Sequence, residues 1–362
     1  MTKQEFIVQL DRGSASLAEL PVTAAMLRHM ADALRKGDPE WWKRTQKAWE
    51  QRKFVAWTEA WALFLTAVHT DVLGDADSPL QPYFPSCGGT AEADPTSVFA
   101  RYLADLPKEF FDRIKRGHRR TFVASRAPVW MPSALSYFHR RRLPYYLVEI
   151  GAGGGLNLAA DLFAPPQKEF DARLIAARIG LDPVPLQLED INDRRWLTAG
   201  HFPEAAAEIH GLDRIVDLVA KRMREEAAFI QLAPTDTDQA PAFIAKNIPS
   251  DDNDVGLLVY NMGVTARMTD AEYTAFYADM GQLLAPWGDR GLWLEVENVR
   301  GEMYSTTFQG LLHRPAGGGL LNDHVMVRFD FVTNQIVYDV PAIDRFLEVA
   351  PAPKPGAKPA KK

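Results

Sequence analysis

The stretch Tyr145-Tyr146-Leu147-Val148-Glu149-Ile150-Gly151-Ala152-Gly153-Gly154-Gly155-Leu156-Asn157 decides how the rest of the chain is read. Its apolar run, Leu147 to Ile150, predicts a short buried strand that breaks at glycines and passes into a helical pattern from Leu156 to Ala160. A strand, a glycine turn and a helix start let a ligand's polar group reach backbone N–H groups, because no Cβ blocks the approach. A dinucleotide fingerprint would need Gly or Ala three places after Gly153, and Leu156 stands there. The pattern is instead Glu149-x-Gly151-x-Gly153-x-Gly155, with an acid two places before the first glycine.

From Leu143 onward, strand and helix patterns alternate, which predicts a mostly parallel α/β sheet. The segment Phe170 to Leu181 supplies a strand ending at Asp182-Pro183, and Phe229 to Leu232 a third one ending at Thr235-Asp236. Val255 to Tyr260 reads as a strand buried on both faces and stops at Asn261. A helix follows, opened by the capping-box pattern Thr269-x-x-Glu272. Gly291 to Asn298 is a fifth strand with acids near its end, followed by a loop at Gly317 to Gly319. Val325 to Phe331 and Gln335 to Val340 then read as an antiparallel hairpin turning at Thr333-Asn334.

Upstream, residues 1–142 read as a helical domain expected to cover the pocket of an α/β domain at 143–349. Val22, Met26, Met30 and Leu34 form one apolar stripe, and Trp57, Trp61, Phe64, Val68 and Val72 a stronger one. Trp41 and Trp42 are adjacent and must face different partners, so both are expected in packing. One helix is expected over about Ser97 to Arg116. Between the helices, Gly74 to Thr90 is too rich in Pro and Gly for a regular element. The basic clusters Arg113–Arg120 and His139–Arg142 read as solvated helix ends, with an anion site for a phosphate or acidic substrate as the alternative. Residues 350–362, rich in Pro, Ala and Lys, cannot bury a core and are expected to be disordered.

The 362 residues are 47% hydrophobic and 24% charged, as in ordinary globular chains with room for two cores. A net charge of -6 argues against a nucleic-acid partner. Cys87 is the single cysteine, which excludes an internal disulfide and a multi-cysteine metal site. No signal-peptide pattern or membrane-span-length apolar run occurs, and a cytoplasmic location is expected. No metal-ligand spacing and no G-x-S-x-G nucleophile elbow is present.

The acid–glycine motif resembles the first motif of the class I S-adenosylmethionine (SAM)-dependent methyltransferases. More specifically, the chain resembles an uncharacterised bacterial family, "domain of unknown function 2332". The carrying stretches are Leu63–His69, Ser78–Ser86, Leu147–Leu158, Gly180–Pro185 and Trp196–Ala199. It departs from that family at Thr121–Pro128, where a polar segment is usual. The resemblance implies a Rossmann-like, class I methyltransferase-like sheet with a terminal antiparallel hairpin, behind a helical N-terminal half.

In such a sheet, ligands bind outside the carboxyl ends of the strands, where strand order reverses. Gly151, Ala152, Gly153 and Gly155 are therefore expected around the methionine end of SAM, with Glu149 orienting the turn or reaching the methionine ammonium through water. An acid after the second strand would accept the ribose hydroxyls: Asp182, or the nearer Glu169 and Asp171. Asp236 is the candidate for the adenine amino group, and Asn261 for the point where methyl donor and acceptor meet. Tyr260, Glu295, Glu297 and His69 are candidate bases, although His69 fits a core histidine better. The expected activity is methyl transfer to a small molecule; the alternative is a non-catalytic SAM- or nucleotide-binding regulatory module. A nicotinamide-dependent oxidoreductase is disfavoured by Leu156 and Glu149.

Overall fold

The computed structural model describes residues 1–54, 56–298, 307–317, 319–330 and 335–348. The chain divides into two compact units: one comprises Met1–Phe122 with Gln187–Arg214, and the other Val123–Leu186 with Ile215–Lys362. The helical unit thus takes in a segment that follows the second strand of the sheet. The division after Arg214 falls within one helix, Ala206–Glu225.

The helical unit is held by a core of stacked aromatics. Val22, Met26, Met30 and Leu34 all lie on the buried face of the helix Pro21–Lys36. Phe6 stacks on Trp42 at 5.0 Å, and Trp41 meets Phe64 edge-on at 5.6 Å, so both tryptophans are consumed in packing. Rings in these geometries add to the stability supplied by area burial alone. Trp61, Phe64, Val68 and Val72 are buried on the helix Glu59–Gly74, whereas Trp57 precedes that helix and packs beside Trp61. The helix expected over Ser97–Arg116 is two, Thr96–Ala104 and Lys108–Arg116. Pro107 sits at the break, because it lacks the N–H that a continuous helix would use. Within Gln187–Arg214, Glu204 accepts Thr23 N–H at 2.7 Å and Thr23 Oγ1–H at 2.8 Å, in the first turn of Pro21–Lys36.

In the α/β unit the described strands are β1 (Tyr145–Ile150), β2 (Ile175–Asp182), β3 (Gln231–Pro234), β4 (Gly256–Met262), β5 (Gly291–Asn298), β6 (Thr307–Ala316), β7 (Gly319–Asp330) and β8 (Gln335–Tyr338). They form one sheet in the order β3-β2-β1-β4-β5-β6-β7-β8. β1 to β5 pair in parallel, and β6, β7 and β8 continue the sheet antiparallel. The run Leu257–Tyr260 is wholly buried, as a strand covered on both faces requires. One face packs Val148, Ile150, Val259 and Trp293 against Ile244, Phe276, Met280 and Leu284 of the helices Ala240–Asn247 and Asp270–Leu284. The capping box forms as expected: Thr269 Oγ1 accepts Glu272 N–H at 3.3 Å, and the Glu272 carboxylate accepts Thr269 N–H at 2.7 Å.

Two expectations need correction here. Gly319, expected in a loop, opens β7 opposite Ala316, and β6 is a strand that the sequence pattern does not predict. The helical pattern after Gly155 is a short 3₁₀ segment, Leu156–Leu162, interrupted at Ala159. Pro165 and Pro166 close off a longer helix. Arg178 of β2 donates to the Leu158 carbonyl at 2.8 Å and pairs with Asp161 in a buried ion pair. That carbonyl would otherwise serve the next helical turn. The expected β7–β8 turn at Thr333-Asn334 and the tail 350–362 lie outside the described residues.

Candidate functional site

Strand order reverses between β1 and β4: β2 and β3 lie to one side of β1, and β5 to the other side of β4. The crevice predicted for such a sheet opens beyond the carboxyl ends of these two strands. The glycine turn leaves β1 at that point. Gly151, Gly153 and Gly155 all have positive φ, at 82°, 56° and 75°. A Cβ at Gly151 would stand 2.6 Å from Val264 Cγ2, whereas one at Gly153 would meet no atom within 4 Å. Gly151 is therefore glycine for packing, whereas Gly153, itself buried, leaves unfilled the space a side chain would take.

The turn is clamped from β2. The Gly151 and Ala152 N–H groups donate to the Leu181 carbonyl at 2.7 and 3.1 Å. Asp182, fully buried at the end of β2, accepts Gly153 N–H at 2.9 Å through Oδ2 and Val184 N–H at 2.9 Å through Oδ1. Asp182 therefore fixes the turn's shape. Glu149 is buried one residue before the end of β1, and its Oε1 accepts Asn157 Nδ2–H at 2.7 Å. Asp236 is exposed just past β3, at the start of the 3₁₀ turn Thr237–Gln239. Glu169 and Asp171 precede β2, at the opposite end of the parallel strands from the glycine turn. There they border a groove of about 470 Å³ with His139, Arg140, Arg142 and Lys168. His139 is buried, not solvated as expected, and its Nδ1 accepts Asp171 N–H at 3.1 Å.

The candidate bases divide between the two faces of the sheet, because neighbouring residues of a strand point opposite ways. Tyr260 pairs in register with Glu149. Burial, together with the Glu149 carboxylate, holds its phenol well above the usual range. On the other face, Asn261 Nδ2–H donates to Glu297 at 2.6 Å, and Asn261 Oδ1 accepts Trp293 Nε1–H at 2.7 Å. Glu297 also accepts the N–H groups of Val264, Thr265 and Ala266, at 2.8, 3.0 and 3.1 Å. Burial pushes its carboxyl up, against the opposing pull of those N–H groups. Glu295 accepts the Thr265 hydroxyl and the Tyr273 hydroxyl, the latter at 3.0 Å. His313 Nε2 lies 3.3 Å from Glu295 Oε2, and its ring stacks on Trp293 at 4.2 Å.

The structure thus gathers Glu149, Asp182 and the glycines around one turn, and ties Asn261, Glu295 and Glu297 into a buried network under it. Sequence reasoning missed Asn157, Thr265, Tyr273 and His313. Only Asn157, which directly follows the glycine motif, carried a local signal. His69 belongs to the helical unit, where it is bonded to Ser86. Among the described residues no helix is long and apolar enough to cross a membrane.

A search of curated proteins found no significant match. A family profile, by contrast, matches residues 12–165 and 163–331, most of the chain. The chain belongs to the bacterial family described as "Uncharacterized protein conserved in bacteria (DUF2332)".

Proposed function

We propose that the α/β unit binds SAM at the glycine turn and transfers its methyl group to a small molecule. The observation that carries this reading is the unfilled space beside Gly153, at a turn of three left-handed glycines where strand order reverses. The residues fit the cofactor in kind. The glycine main chain would take the methionine end, and Asp236, exposed past β3, the adenine amino group. Asp182 would take the ribose hydroxyls, since a carboxylate has about four lone-pair positions and the Gly153 and Val184 N–H groups occupy two of them. When bound, SAM supplies an electrophilic methyl group for in-line displacement. The protein's tasks are then alignment and exclusion of water.

The burial of Asn261, Tyr260, Glu295 and Glu297 favours an acceptor that needs no general base. The same observation supports the second reading, a non-catalytic SAM- or nucleotide-binding module on this fold. Incubation with SAM and a cell-extract metabolite pool separates the two readings. Formation of S-adenosylhomocysteine above a protein-free control supports transfer; binding without turnover supports the module.

A further inference from the structure

The helical unit holds a second chemical arrangement, independent of the glycine turn. His69, on the helix Glu59–Gly74, is almost fully buried, and its two ring nitrogens have different partners. Nδ1 lies 3.0 Å from the His201 carbonyl, which only accepts, so Nδ1 carries the proton. Nε2 is then a lone-pair acceptor, and it lies 2.7 Å from Ser86 Oγ. The Ala199 carbonyl, at the last residue of the helix Ile191–Ala199, also draws positive charge toward the ring. A helix C-terminus carries partial negative charge, which offsets part of the cost that burial puts on a cation forming at this imidazole. Nucleophile, base and orienting group thus come from three separate segments of one unit, the arrangement by which a serine is activated.

The serine's backbone is fixed as well. Ser86 sits in the 3₁₀ turn Pro85–Cys87, its N–H donates to the Pro203 carbonyl at 2.9 Å, and the residue is partly exposed. Gly89 is required beside it, because a Cβ there would stand 2.4 Å from the Gln81 carbonyl oxygen. Cys87 Sγ is 3.8 Å from Ser86 Oγ, but burial pushes its thiol up, so it does not compete as a thiolate.

We infer that Ser86 and His69, oriented by the main-chain carbonyl of His201, form a nucleophile–base pair that cleaves small carboxylic esters. Ser86 Oγ bonds to the acyl carbon as the bond to the leaving oxygen breaks. The Ser86 proton passes to His69 Nε2 and on to the leaving alkoxide. Water then repeats the sequence, so that ester and water become acid and alcohol. The substrate class follows from the surroundings. The N–H groups of Ser86, Cys87, Gly88 and Gly89 all donate to main-chain carbonyls of this unit, so they offer no ready cradle for an oxyanion. Base activation without that support suits reactive esters rather than amides.

The full-length protein treated with diisopropyl fluorophosphate tests this. Labelling of Ser86 is expected, with fluoride leaving as the oxygen–phosphorus bond forms. Ser86→Ala should abolish the label and slow p-nitrophenyl acetate hydrolysis about 100-fold or more. His69→Gln should do the same if circular dichroism shows it folded; Ser86→Ala, which removes only one hydroxyl, provides the test if it does not. An unlabelled, folded wild-type protein, or hydrolysis unchanged in Ser86→Ala, would reduce the pair to a structural hydrogen bond and overturn the proposal.

Discussion

His69 ties folding to pH. Its imidazole is held at about 4 rather than the usual 6.5, chiefly by burial. Between those values the unfolded chain takes up a proton that the folded chain refuses, so stability is complete above the upper value and lost as pH falls toward the lower one. The full effect is about 3 kcal/mol. Urea midpoints should therefore fall between about pH 7 and about pH 4, and fall less in His69→Gln; equal slopes would show that other groups carry the dependence. Gly153 makes a contrasting prediction. Its φ of 56° is costly for a branched residue, but its side-chain direction is open. Gly153→Val should leave a folded protein, destabilised by about 1–2 kcal/mol, with S-adenosylhomocysteine binding abolished. Intact binding in the variant would remove the turn from the site. At this scale, legibility followed chemistry that is local in sequence. Gly151, Gly153 and Gly155 could be read from their spacing. The His201 carbonyl beside His69 and the donors to Glu297 could not, because they meet only after the chain folds.

Single elements show where local pattern stops being sufficient. The capping box at Thr269 and Glu272 was readable because both partners lie within one turn. The connection from β1 to β2 was not. Leu156 to Ala160 has helical composition, yet Arg178, about twenty residues on, takes the Leu158 carbonyl and pairs with Asp161. Both side chains of that pair are about 6% exposed. Removing one charge from a buried pair strands the other, at a cost of about 3–5 kcal/mol. Asp161→Asn should therefore lower stability by roughly that amount in urea unfolding. A change below about 1 kcal/mol would mean that the pair does not hold the crossover. β6 was hidden for a different reason. Gly310 and Pro315 interrupt its pattern, and its pairing with β7 shifts register near Gly310. A strand defined by two neighbours in the sheet needs no clean alternation of its own.

Across the whole molecule, the run of strands and helices after Leu143 was enough to predict a largely parallel sheet, and the sheet has that form from β3 through β5. Strand order was not written in the pattern. Alternation along one strand separates Tyr260 from Asn261, but it is strand order that sets Glu149 beside Tyr260 and Asn261 beside Glu295. The segment Gln187–Arg214 was also opaque: it follows a strand, yet its apolar residues Trp196, Leu197 and Phe202 belong with the helical unit. The central proposal is that the glycine turn at the strand-order reversal binds SAM. Calorimetric titration of the purified protein with SAM, and separately with S-adenosylhomocysteine, tests it most directly. The account predicts saturable binding of both, with dissociation constants on the order of micromolar. A folded protein that binds neither would contradict it.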